Sequence, residues 1–249
     1  MGGFFLPIFY FEENDVSPER NQAMTTSMNH SKYNTKMSEI PQDLAGQLRY
    51  IKTGLRGVMN GTVSQSMREK GLTYKVNFGV ELHRLAEMAE ELPHTAELAG
   101  ALWKENIREC RILAGLLYPV EDFFEDLADL WVEQIQFMEE AECCVMNLFQ
   151  HLPYASQKAF EWIAREEEMF QVCGWLLMGR LLMKGMAPSD RDREELTDQM
   201  SAALRSSSRN VQLSAHKTLL KFMDLGEQEE KLGNRILDDF EKTMATEEQ

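Results

Sequence analysis

Three prolines, Pro119, Pro153 and Pro188, lie 34 and 35 residues apart, each between two stretches of helical apolar periodicity. A proline lacks the backbone N–H that a helix interior needs, so each one ends a helix and lets another begin. The helices expected before these prolines run from about Glu105 to Tyr118, Met138 to Leu152 and Glu168 to Met186. Those expected after them run from Val120 to Gln134, Tyr154 to Arg165 and Asp190 to Arg205. A repeat of this length, with a helix on each side of a proline turn, is the signature of an α-solenoid. One helix pair cannot cover its own apolar face, and stacked pairs can.

The pattern extends in both directions. Ile40, Leu44, Leu48, Ile51, Leu55 and Val58 recur at spacings of four, four, three, four and three, which predicts a first helix. Ser38 followed by Glu39, Ile40 and Pro41 reads as its capped start. Gly61 and Gly71 punctuate the chain, Asn77 to Gly79 reads as a turn, and a helix through Leu82, Leu85 and Leu92 stops at Pro93. The stretch from Glu168 to Met186 is apolar on nearly every side, so neighbours should bury it. Arg180 and Lys184 interrupt it, and it is short for a membrane span. A last pair, Ser207 to Leu225 and Glu227 to Met244, ends in an acidic, polar helix suited to capping the stack. The expected fold is therefore all-α: a HEAT-like α-solenoid of four to six antiparallel helix pairs. Abundant Leu, Met, Glu, Ala and Arg and an almost absent strand signal agree with it.

This domain is expected over residues 38–249. Residues 1–37 read as a disordered leader, since Asn14 to Lys36 is rich in Asn, Ser, Thr and Met without periodicity. The apolar run Phe4 to Phe11 has no basic residue before it and Glu12 and Glu13 directly after it. A signal peptide is therefore not expected, the location expected is cytoplasmic, and Met37, directly ahead of the capped helix start, reads as an alternative start of translation.

The formal net charge of −15 argues against attraction of the whole surface to a polyanion, but the distribution is uneven. Arg49, Lys52, Arg56, Arg68, Lys70, Lys75 and Arg84 face only Glu69 and Glu81 between Leu44 and Arg84. Fifteen acids crowd Glu87 to Glu142, against Lys104, Arg108 and Arg111. Arg205, Arg209, Lys217 and Lys221 then fall in a stretch without acids, Ala203 to Met223. These are either solvated helix faces or two basic patches flanking an acidic middle. Cys110, Cys143, Cys144 and Cys173 lie in apolar helical patterns without metal-ligand spacing, as buried thiols in a reducing compartment would. No phosphate loop, His-Glu-x-x-His or Gly-x-Ser-x-Gly motif is present, and neither a metal nor another cofactor is expected. Trp103, Trp131, Trp162 and Trp175 fall on apolar stripes, as core residues do, and Arg108 with Glu109 reads as an ion pair between repeats.

Several segments resemble one family. Val76-Asn77-Phe78-Gly79-Val80 with Arg84-Leu85 is similar to the opening of a repeat pair in the HEAT-like-repeat DNA alkylation-repair glycosylases, the AlkD-like proteins. Ala101-Leu102-Trp103, then Arg108-Glu109 with Ala114, Leu116 and Leu117, resembles that family's Leu-Trp and Arg-Glu element, and Trp162-Ile163-Ala164 matches a later repeat. The likeness covers roughly Met67 to Phe222. It implies a protein that holds duplex DNA on a basic concave face and releases alkylated purines such as 3-methyladenine and 7-methylguanine. In that chemistry an aromatic face attracts the cationic base, and a carboxylate stabilises the positive charge growing on the sugar.

The family's Trp position falls on Phe137 and its Asp position on Ala141; the second Trp falls near Leu219 and a DNA-contacting Arg near Val172. The resemblance thus leaves Phe137 and Glu140 as candidate catalytic residues, with Glu142 also flanking Ala141. The candidate DNA contacts are Lys70, Lys75, Arg84, Arg205, Arg209, Lys217 and Lys221. Two readings stand at this point. One is a monomeric, divergent family member that binds duplex DNA with weakened or altered base release. The other is a non-catalytic HEAT-like scaffold whose acidic middle binds another protein.

Overall fold

The computed structural model describes residues 40–247, and these contain twelve α-helices and no strand. They are α1 (Leu44–Gly57), α2 (Gly61–Glu69), α3 (Leu82–Glu91), α4 (Ala96–Lys104), α5 (Arg108–Leu117) and α6 (Glu125–Gln134). The series continues with α7 (Met138–Asn147), α8 (Ala155–Ile163), α9 (Glu168–Met183), α10 (Asp190–Leu204), α11 (Arg209–Met223) and α12 (Glu227–Glu247). Single 3-10 turns occupy Val120–Asp122 and Phe149–His151. The leader expected at residues 1–37 lies outside the described residues.

The starts of several helices follow from the sequence. Asp43, Asn60, Thr95, Ser189 and Ser208 each accept a hydrogen bond from a backbone N–H in the first turn of α1, α2, α4, α10 and α11, satisfying a donor that has no partner within the helix. Several expected boundaries need correction. The first helix starts at Leu44 behind Asp43; Ile40 and Pro41 precede it and are not helical. Helices α2 and α4 form where only glycine punctuation and a proline stop had been legible. The helix expected from Glu105 begins at Arg108, the one expected from Val120 begins at Glu125 after a 3-10 turn, and α7 ends at Asn147 rather than Leu152.

The pairing is also offset from the expected one. The prolines do lie in connections, but the most extensive packing between consecutive helices joins α8 to α9 and α4 to α5; α11 packs equally on α10 and on α12, the latter being the last pair expected from the sequence. The first two hairpins therefore close through the three- and four-residue links after α4 and α8, and the proline segments carry the chain from one hairpin to the next. The reason lies in the side chains. Tyr118, Phe123 and Trp131 pack edge to face around Pro119, and this wedge holds α5 and α6 apart.

Helices α3, α5, α7, α9 and α11 stack in succession as one layer, each packed on the next. Helix α9 is the centre of this stack, touching α6, α7, α8 and α11, which fits its all-round apolar sequence. Its close approach to α8 depends on Gly174: a Cβ there would lie 2.7 Å from the Ile163 backbone nitrogen. The four tryptophans are buried, and Trp103 and Trp131 stack with ring centroids 3.9 Å apart. All four cysteines are buried and free.

Candidate nucleic-acid interface

The segment from Tyr74 to Val80 is irregular, and a buried polar network straps it to the stack. The Glu109 carboxylate, fully buried, accepts the backbone N–H groups of Phe78 and Val80 at 3.1 and 3.2 Å. Arg108 donates to the Val80 carbonyl at 2.8 Å and to Glu109 at 3.1 Å. It also grips Glu139 of α7 with two bonds of 2.8 and 2.6 Å. Glu139 in turn accepts the Tyr74 hydroxyl. Burial, then the Glu139 carboxylate, pushes the Tyr74 phenol well above its ordinary value, so it remains a donor. The Arg-Glu pair of the sequence is thus an element that ties one repeat to the next.

Phe137 caps α7 and packs on Tyr74, ring centroids 4.4 Å apart. It is half-buried against that strap. Glu140, one turn into α7, is only 2% exposed. It accepts the Gln136 backbone N–H at 2.9 Å and pairs with Arg111 at 3.3 Å, while Arg111 lies over the Trp103 ring. Burial raises the Glu140 carboxyl above its usual range, opposed by the Gln136 N–H and by Arg111. Glu140 is therefore a carboxylate that caps its own helix from inside the core. Ala141, Val172 and Leu219, the other positions given by the family pattern, are all fully buried. Of the carboxylates near Phe137, Glu142 is the more open; it pairs with Lys217 of α11 at 2.8 Å.

The candidate DNA-contacting cations fall into two groups. Lys70, Lys75 and Arg84 are exposed around α2, the strap and α3. On the last hairpin, Arg209 and Lys217 are exposed and Lys221 is half-buried, 3.8 Å from Asp224. Arg205, at the end of α10, donates to the Ser201 carbonyl and hydroxyl. Only Lys217 and Lys221 share the edge of α11 that turns toward α9 and α7; helical geometry puts Arg209 about 80° from Lys217.

Sequence reasoning missed two features. Arg180 and Lys184, seen only as interruptions of an apolar run, both reach Gln150: Arg180 Nε donates to its Oε1 at 3.1 Å and Lys184 Nζ to its carbonyl at 2.8 Å. The second is an open acidic cleft of about 660 Å³ between α6 and the start of α9, lined by Asp126, Asp129, Glu133, Arg165, Glu167 and Glu168. Asp129 accepts the Trp162 indole N–H at 2.7 Å and the Lys158 ammonium at 2.9 Å. Among the described residues no group of His, Cys, Asp and Glu could hold a metal, and no helix is long and apolar enough to cross a membrane.

A solved structure from "a new family of proteins related to the HEAT-like repeat DNA glycosylases with affinity for branched DNA structures" shares the fold. It superposes with a TM-score of 0.69 at 17% identity, over 76% of this chain and 82% of that one. No curated protein matches the sequence. The family model described as "DNA alkylation repair enzyme" matches residues 51–232, which takes in the strap, the Arg-Glu pair and the stack from α3 to α11. On that match the chain belongs to the DNA alkylation repair enzyme family.

Proposed function

We propose that this protein binds DNA along its helical stack and has lost efficient excision of alkylated bases. The observation that carries the second half is the state of the carboxylates beside Phe137. The family's acidic position is the buried Ala141, Glu140 is taken up by Arg111 and the Gln136 N–H, and Glu139 by Arg108 and Tyr74. A glycosylase needs a carboxylate standing against the sugar as positive charge develops there. Glu142, the remaining one, already neutralises Lys217.

DNA binding is supported by family membership, by cations at both ends of the stack, and by the affinity for branched DNA stated for the structural relative. The test measures two things on the full chain. Release of N3- and N7-methylpurines from alkylated duplex DNA is expected to be slow or undetectable. Fluorescence anisotropy with labelled duplex and four-way-junction DNA is expected to show salt-sensitive binding. Rapid base release abolished by Glu140→Gln in a folded protein would overturn the reading of the site, and no binding to either DNA would overturn the reading of the partner.

The acidic cleft favours the alternative of a scaffold for a basic protein, because five carboxylates line it against the single Arg165, which is stacked 4.1 Å over Phe170 and paired with Glu167. A basic peptide that binds this chain with DNA binding absent would select that alternative.

A further inference from the structure

We infer that Arg180 and Lys184, organised by Gln150, form a binding site for a backbone phosphate of nucleic acid, an inference that rests on the DNA-binding reading above. Gln150 is buried and neutral, and it orients two cations without cancelling their charge. Its own amide is tied to the Met146 carbonyl, so the arrangement is fixed from behind. Among the described residues neither Arg180 nor Lys184 has a carboxylate within ion-pairing distance, unlike Arg108, Arg111, Lys158 and Lys217. The exposed His151 adjoins them; burial, then Lys184, then Arg180, lowers its imidazole below the ordinary value, and Lys184 is lowered by burial and Arg180. Two clustered cations at mutual electrostatic cost, both held by a neutral amide, are arranged to receive an anion.

The position within the stack favours a nucleic-acid strand over a lone phosphate ion. Helices α7 and α11 both pack on α9, and Glu142 of α7 pairs with Lys217 of α11; on α9 itself Met169, Leu176, Arg180 and Met183 are the row that is not fully buried. Helices α9 and α11 meet closely at Gly179 and Thr218, where a Cβ on Gly179 would lie 3.1 Å from the threonine hydroxyl. Arg180 directly follows that glycine, and Lys217 and Lys221 flank that threonine, on the same open side. Lys184 and Arg180 thus lie at the end of the helix next to the α11 edge that carries Lys217 and Lys221, whose charges are shared with Glu142 and Asp224. That leaves Arg180 and Lys184 as the pair open to a strand's phosphate.

The test uses the full chain with labelled duplex and four-way-junction DNA across a sodium chloride series. It compares the unaltered protein with Arg180→Gln, Lys184→Gln, the double variant and Arg180→Lys, each checked for folding by circular dichroism. The double Gln variant should bind about tenfold or more weakly at low salt, with a log–log salt slope shallower by roughly 1.8 for two phosphate contacts on a duplex. Arg180→Lys, which keeps the charge, should retain most of the slope. An unchanged slope in folded variants would overturn this site while leaving DNA binding by the protein intact; no DNA binding by the unaltered protein would overturn both. The His151 ring resonance separates the two phosphate sources. It should move with a short thymidine oligonucleotide well before it moves with inorganic phosphate, and a response to inorganic phosphate alone would overturn the assignment to nucleic acid.

Discussion

Replacing Arg108 with methionine would remove the centre of the network that joins the strap, α5 and α7 while keeping an apolar stem of similar reach. Three acceptors would lose their donor at once: the Glu139 carboxylate, the Val80 carbonyl and the Glu109 carboxylate. Glu139, at 18% exposure, can recover some hydration, whereas Glu109 is wholly buried and would keep only the Phe78 and Val80 N–H groups. Breaking a buried ion pair from one side costs about 3–5 kcal/mol, because the remaining charge stays desolvated. For a domain of this size each kcal/mol lowers the melting temperature by about 2–4 °C, so a drop of roughly 6–20 °C is expected. Urea unfolding followed by circular dichroism would measure the free energy, and a double-mutant cycle with Glu139→Gln would separate the pair from the rest. Adding Glu139→Gln to Arg108→Met should recover part of the loss, since one of the uncompensated charges is then gone. A loss below about 1 kcal/mol for Arg108→Met, additive with Glu139→Gln, would refute the argument that this network holds the strap.

Other outcomes follow from the same structure. Glu140→Gln should cost about 1–3 kcal/mol of stability through its weakened cap and the unpaired Arg111, with base release unaffected. Because the folded carboxyl of Glu140 is raised, its contribution favours the fold in acid and is lost as pH rises through the folded value. Urea melts between pH 4 and pH 8 should therefore show less loss on alkalinisation for Glu140→Gln than for the parent, and identical profiles would contradict the burial argument. Gly79 has a φ of 72° and no room for a Cβ, which would lie 2.2 Å from the Asn60 carbonyl oxygen; Gly79→Ala should cost roughly 2 kcal/mol or more in thermal unfolding. Arg209→Ala with Lys217→Ala should weaken binding to every DNA sequence alike and flatten the salt slope by roughly one to two units in anisotropy titrations. Phe137→Ala should lower stability through its Tyr74 contact and leave base release unchanged from the unaltered protein, read by melting and by release assay in parallel.

Much of the architecture could be read along the chain because it depends on local chemistry. The helix stops just before Pro93 and Pro119 follow from a missing N–H, whereas α7 and α9 end earlier, at Asn147 and Met183, the latter on Gly185 with a φ of 77°. The burial of α9 follows from apolar residues on nearly all of its sides. The burial of four cysteines and four tryptophans follows from the stripes they occupy. Helical periodicity states which residues share a face; it does not state which neighbour that face meets. The tertiary structure alone decides that α8 packs on α9 rather than across Pro153 onto α7, and the close contact of Gly174 with Ile163 allows that approach. The same holds for the site. Glu140 looked like an available carboxylate, yet the rotation of α7 about its axis turns it inward to Arg111, and Ala141, Val172 and Leu219 are buried as well. Arg180 and Lys184 looked like interruptions of an apolar helix, and only the fold brings them to Gln150, 30 and 34 residues earlier in the chain. Local hydrogen bonding and side-chain shape act over a few residues and are written in their order. Helix rotation and the meeting of distant charges are set by how the whole core packs, which no single segment encodes.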